Sequence, residues 1–159
     1  MDALLELLKT NARLSVQELA VMLGQSEGEI SRRLSQYESQ GVIKGYAAII
    51  DDSALDPDYV AALIELKVTP QSQSGFDEIA RQIAEYEEVE SVRLMSGGYD
   101  IIVSVTGKDI RTVSRFVAEK LAAIDAITST ATHFELKSYK KNGVMICDKE
   151  TDERGIISP

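Results

Sequence analysis

Apolar positions in the first forty residues recur at helical spacing in three blocks. Leu4, Leu5 and Leu8 mark a short first helix that ends near Lys9 to Arg13. Val16, Leu19, Ala20 and Leu23 form the inner stripe of a second, opened by Ser15 with Glu18 three residues on and closed by Gly24. Ile30, Leu34 and Tyr37 form the stripe of a third, opened by Ser26 with Glu29 and stopped by Gly41. A serine followed three positions later by glutamate is a capping box, in which each side chain satisfies a backbone donor of the first turn. A glycine just past the last turn ends a helix in the left-handed conformation. Two capped helices around a short turn containing glycine make a helix-turn-helix pattern, in which the second helix enters the major groove and the first braces it.

That second helix spans Ser26 to Gln40. Ser31, Arg32, Ser35, Gln36 and Ser39 lie mostly off its apolar stripe, so its outer side carries two adjacent arginines among small polar groups. Such a surface suits phosphates and base edges. Small bundles that never meet DNA share the pattern of tandem capped helices. The spacing, the Arg32-Arg33 face and the extended chain expected from Val42, Ile43, Tyr46, Ile49 and Ile50 favour DNA binding.

Asp51 to Asp58, acidic and with one proline, is expected to be a solvated linker. Beyond it the period alternates between strand and helix. Tyr59 to Val68, Val89 to Met95, Ile101 to Val105 and Ile127 to Leu136 are expected strands. Phe76 to Tyr86 and Asp109 to Ile124 are expected helices. The order β-α-β-β-α-β is the ferredoxin-like unit, an antiparallel sheet with both helices on one face. Val60, Ala62, Ile64, Leu66 and Val68 alternate with Ala61, Leu63 and Glu65. Both faces of the first strand are thus substantially apolar, and the uncovered one is expected to bury against a second copy.

Ser96-Gly97-Gly98-Tyr99-Asp100 joins two of the strands. Two glycines allow positive φ and close backbone approach, amides exposed there suit a carboxylate, and Asp100 suits an ammonium group. A plain hairpin needs the same residues. Thr130 and Thr132 occupy alternate positions of the last strand and point the same way, as strand-forming threonines do.

Charge narrows the partners. The 159 residues carry a net charge of −9, yet residues 1–50 hold five Lys or Arg against six Asp or Glu, so the acidity belongs to the later part. This disfavours indiscriminate nucleic-acid binding and leaves room for a locally basic helix. With one cysteine, Cys147, no intrachain disulfide forms, and with one histidine, His133, no cluster of soft metal ligands is expected. GxSxG, P-loop and dinucleotide motifs are absent, so neither an enzyme nor a cofactor is expected. No run of about 18 apolar residues suggests a membrane span, and MDALLELLK is too acidic for a signal peptide, so a cytoplasmic protein is expected.

Four stretches in order, NARLSVQELAVMLGQS, RRLSQYESQGVIKGY, SVRLMSGGYDIIV and ITSTATHFEL, resemble the Lrp/AsnC or feast/famine family of transcriptional regulators across about 140 residues. The resemblance implies an α+β chain: a winged helix-turn-helix over residues 1–50, a linker over 51–58, and an effector-binding and oligomerisation domain over 59–140. Residues 141–159 then form a C-terminal extension. It implies double-stranded DNA as a partner, a small effector such as an amino acid, and homodimers that assemble further, to octamers for example. Ser26, Ser31, Arg32, Arg33 and Gln36 are the candidate DNA contacts. Leu94, Ser96, Gly98, Tyr99, Asp100, Thr130, Thr132 and His133 are the candidate effector contacts, and at the glycine turn the resemblance favours a ligand over a plain hairpin.

Three departures bear on this. Glu27, Gly28 and Glu29 open the DNA-reading helix, where acids repel phosphate while favouring the helix N-terminus. Asp56-Pro57 stands where the family commonly has glycine. In the tail, Gly143 to Ile146 is expected to add a strand and Ile156-Ile157 to dock. Two rivals remain: an effector-independent architectural DNA-binding protein, and an enzyme resembling haem-pathway decarboxylases. The near-neutral first fifty residues disfavour the first. A single histidine in an acidic domain disfavours the second.

Overall fold

The computed structural model describes residues 2–56, 58–69 and 75–146, and the chain divides into two compact units, 1–50 and 51–159.

The first unit holds α1 (Ala3–Thr10), α2 (Val16–Leu23) and α3 (Glu27–Ser39). Ser15 and Glu18 form a complete capping box on α2. On α3 only half of the expected box is present: Ser26 Oγ accepts from Glu29 N–H at 3.2 Å. Gly24 and Gly41 adopt the positive φ that ends α2 and α3. The apolar stripes meet in a core of Leu4, Leu19, Ala20 and Ile30, with Leu34 and Tyr37 against it. The extended chain expected after Gly41 makes no ladder, and Val42, Tyr46, Ile49 and Ile50 stay exposed. A strand needs a second extended segment to pair its amides, and the described residues of this unit supply none.

The second unit opens with α4 (Asp52–Leu55), one helical turn where a loop was expected. The unit's main sheet holds β1 (Val60–Val68), β2 (Val89–Leu94), β3 (Ile101–Gly107) and β4 (Ile127–Phe134), in the order β2-β3-β1-β4, all antiparallel. Helices α5 (Gly75–Ala84) and α6 (Ile110–Phe116) complete the ferredoxin-like plan. Ala62, Ile64 and Leu66 of β1, Val103 and Val105 of β3, Ile83 of α5 and Val113 and Phe116 of α6 form one core. The second helix was expected to continue unbroken. Instead α6 widens into a π turn at Val117–Leu121, where Ala122 N–H donates to the carbonyl five residues back. This turn carries Lys120, which lies 2.6 Å from Glu88 and over the rings of Tyr86 and Phe116.

The face of the sheet away from the core is more mixed than β1 alone suggested. Paired residues share a face, so Leu63 stands beside Ser104 and His133, and Glu65 beside Ile102 and Ala131. Arg93 joins the second row through Ile102. Leu63 is 39% exposed, and His133 Nε2 lies 3.5 Å from Glu65. The expected extra strand of the tail is half of a small hairpin, β5 (Lys140–Lys141) with β6 (Val144–Met145), turning at Asn142-Gly143, both at positive φ. Lys141 ties it to α4 through Asp52 at 3.1 Å. Cys147 and Ile156-Ile157 lie outside the described residues.

Candidate functional site

In the first unit, the core side of α3 is fixed by Ile30, so Ser31, Arg32, Ser35 and Gln36 are exposed on the opposite side. Ser26 is exposed at the helix start. Among the described residues Arg32 has no ion-pair partner. Arg33 is in a different position. Its guanidinium donates to both carboxylate oxygens of Asp2, at 2.6 and 2.7 Å, and to Gln25 Oε1 at 2.5 Å. Tyr37 O–H donates to the same carboxylate, and that carboxylate also caps α1 by accepting from Leu4 N–H at 2.8 Å. The Tyr37 hydroxyl and the Arg33 guanidinium hold the Asp2 carboxyl at about 2, and Asp2 in turn raises the pKa of Arg33 and of Tyr37. Four residues thus join the start of α1, the turn before α3 and the middle of α3. Asp2, Gln25 and Tyr37 were missed as partners of Arg33. The one sequence signal was an acid placed to cap the first helix.

In the second unit, the residues expected to meet an effector fall into two groups. The first is the β2–β3 turn. Met95 N–H donates to Asp100 O at 2.7 Å, and Asp100 N–H donates to Leu66 O at 2.9 Å. Asp100 Oδ2 accepts from Val68 N–H at 2.8 Å. The amides of Ser96, Gly97, Gly98 and Tyr99 have no hydrogen-bond partner among the described residues. Gly97 and Gly98 allow positive φ but neither adopts it, and a Cβ on either would meet nothing within 4 Å. Leu94 is exposed at the mouth of the turn, and Tyr99 is half-buried.

The second group is on β4, and the register divides it. Thr130 pairs with Leu66 and Thr132 with Ile64, so both threonines are on the helix side of the sheet. His133 pairs with Leu63 and is on the opposite, open side. The turn and Thr130 lie at one end of the sheet, because Leu66 accepts from Asp100 and pairs with Thr130. His133 is not brought together with them. Among the described residues no group of three His, Cys, Asp or Glu side chains is placed to hold a metal ion. Nor is any helix there long and apolar enough to cross a membrane.

Residues 3–44 match the family model described as winged helix-turn-helix DNA-binding, and residues 61–145 match the Lrp/AsnC ligand binding domain. The chain is 41% identical over 157 residues to the uncharacterized HTH-type transcriptional regulator YugG of Bacillus subtilis, covering 98% of this chain and 95% of that one. It superposes on the structure of E. coli AsnC with a TM-score of 0.68 at 26% identity, covering 89% of this chain and 95% of AsnC. It shares its fold with the Neisseria meningitidis regulator NMB0573, whose structure is an L-Met complex, with a TM-score of 0.72 at 24% identity over 89% and 93% of the two chains. With its DNA-binding unit, its ligand-binding unit and a relative this close over nearly its whole length, the chain belongs to the Lrp/AsnC family of transcriptional regulators.

Proposed function

We propose that this regulator binds specific duplex sequences as a homodimer or a larger assembly, and that an amino acid bound at the β2–β3 turn changes its operator affinity. The observation that carries the effector half is the turn itself. Four successive amides, Ser96 to Tyr99, are without partners among the described residues, in a domain matched to a ligand-binding family. Successive N–H groups in a turn make anion-binding concavities, and the anionic group common to all amino acids is the α-carboxylate. Leu94, Tyr99, Thr130 and Thr132 are the side chains we assign around it. His133, on the open face, belongs in this scheme to the surface that meets a second copy, along with Leu63 and Glu65.

For DNA we assign Ser26, Ser31, Arg32 and Gln36 to the duplex. We assign Arg33 to holding α3 against α1, because both its terminal nitrogens are engaged, Nη2 by Asp2 and Nη1 by Gln25. Near-neutral charge over residues 1–50 supports a reader of sequence over a general DNA coat.

A thermal-shift screen against the twenty amino acids tests the effector half. A ligand that binds only the native state at a hundredfold excess over its Kd stabilises by about 2.7 kcal/mol. One or a few hits are expected, each weakened in Gly98→Ala or Thr130→Val. No shift with any amino acid at millimolar concentration would instead point to an effector-independent architectural protein.

A further inference from the structure

We infer that Asp100 acts on ligand binding as a positioning residue: its carboxylate clamps the β2–β3 turn to the end of β1. The inference about ligand binding rests on the effector role proposed above; the clamp itself rests on geometry. β1 pairs with β3 as far as Leu66 and Ile101, and there the ladder stops. Continued in register, it would bring Tyr99 opposite Val68. The chain instead turns away at Asp100, which would leave Val68 N–H facing the β3 side without a carbonyl. Asp100 Oδ2 takes that place at 2.8 Å, so the side chain supplies the rung the backbone no longer makes.

Three hydrogen bonds of the turn converge on this one residue. Its carbonyl accepts from Met95, its N–H donates to Leu66, and its carboxylate accepts from Val68. Within the turn itself, Ser96 to Tyr99 make none among the described residues. The two glycines adopt no left-handed φ, so the course of the turn is not set by backbone freedom peculiar to glycine. It is set at its end, by Asp100. The clamp also has reach. Leu66 pairs with Thr130, Val68 pairs with Ile127, and Thr69 N–H donates to Ala126 O at 2.9 Å, so the β1 segment that holds the turn also holds the start of β4. The clamp uses Oδ2, and an ionised carboxylate has acceptor sites to spare, so any direct contact with a ligand ammonium is a separate role that variants distinguish.

Asparagine keeps a carbonyl oxygen for Val68 N–H and removes the charge, whereas alanine removes both, and this separates the two roles. Amide hydrogen exchange in the full chain reads the clamp without any ligand. Val68 should exchange at least about tenfold faster in Asp100→Ala and near the wild-type rate in Asp100→Asn. Binding is read with the twenty amino acids as probes. For the tightest, it is compared with the α-hydroxy acid of the same side chain, which lacks the ammonium. The ratio of the two affinities should stay within about twofold in Asp100→Asn, while Asp100→Ala weakens both ligands together. Slow Val68 exchange in Asp100→Ala would overturn the clamp. A ratio that collapses in Asp100→Asn while Val68 stays protected would overturn the assignment of Asp100 to positioning alone, since that is the mark of an ammonium counter-ion. If no amino acid binds the wild type, the proposed effector role fails, and the Val68 exchange still decides the clamp.

Discussion

Asp2→Asn separates what Arg33 does inside the protein from what α3 does on DNA. Asparagine still offers an oxygen to Leu4 N–H, so the cap of α1 is kept while the charge that engages Arg33 and Tyr37 is lost. The Asp2 carboxyl is lowered from 3.8 to about 2 in the folded protein. At about 1.36 kcal/mol per pKa unit, the ionised form gains at most about 2.5 kcal/mol from its surroundings. The Asp2 side chain keeps 27% of its accessibility, and solvent screening reduces that figure to about 1–2 kcal/mol. The sign follows from the depressed pKa. The stabilisation is complete above the unfolded value and is lost as pH falls through the folded one. Urea denaturation of the full chain, followed through the NMR signal of the buried Ile30 side chain, reports on this unit alone. At pH 7 the variant should be less stable by about 1–2 kcal/mol, and the two proteins should converge between about pH 4 and pH 2. Equal stability at pH 7 would refute the reasoning. A gap of the same size at pH 2 would as well, because the unfolded carboxyl is then almost wholly protonated and the folded one about half, so most of the ion pair's contribution is gone.

The other predictions are simpler. Arg32→Ala should reduce the slope of log affinity against log salt for duplex DNA by about 0.9, the share of one phosphate, without moving the urea midpoint. Gly41→Ala should destabilise the first unit by about 1–2 kcal/mol, since Gly41 holds φ +66° and a Cβ there would come within 2.8 Å of Lys44 Nζ, whereas Gly97→Ala should leave the second unit's stability unchanged; urea titrations check both. Ile64→Ala, at a fully buried position between the sheet and its helices, should cost about 2–5 kcal/mol in the same assay.

Local patterns carried most of the architecture. Ser15 with Glu18, Gly24 and Ser26 mark helix ends that depend on neighbours within a few residues, and the helices lie where those signals put them. The alternation of β1 separated its two faces because a strand's period is two, while the core side is set by where the helices pack. What the sequence did not disclose depends on residues far apart. Asp2 and Arg33 are 31 positions apart, and Val68 and Asp100 are 32 apart. In both pairs the residue was noticed and its partner was not: nothing near Arg33 in sequence points to Asp2, and nothing near Asp100 points to Val68 N–H. The mixed face of the sheet is a matter of register: Glu65 beside Ala131 and Leu63 beside His133 follow only once β4 is aligned on β1. Strand alternation puts His133 on the face opposite Thr130 and Thr132, with which the family resemblance had grouped it. The π turn at Val117–Leu121 leaves no mark on the apolar spacing, which continues through it.

The central claim is that one ligand-binding unit and one DNA-binding unit are coupled. The most direct test is to select a duplex from a random pool with the purified protein and measure its Kd with and without a saturating concentration of each amino acid that gives a thermal shift. Coupling predicts a change of at least about fivefold for at least one of them, and the DNA must change that amino acid's own affinity by the same factor. An unchanged duplex Kd under saturation by every binding amino acid would contradict it.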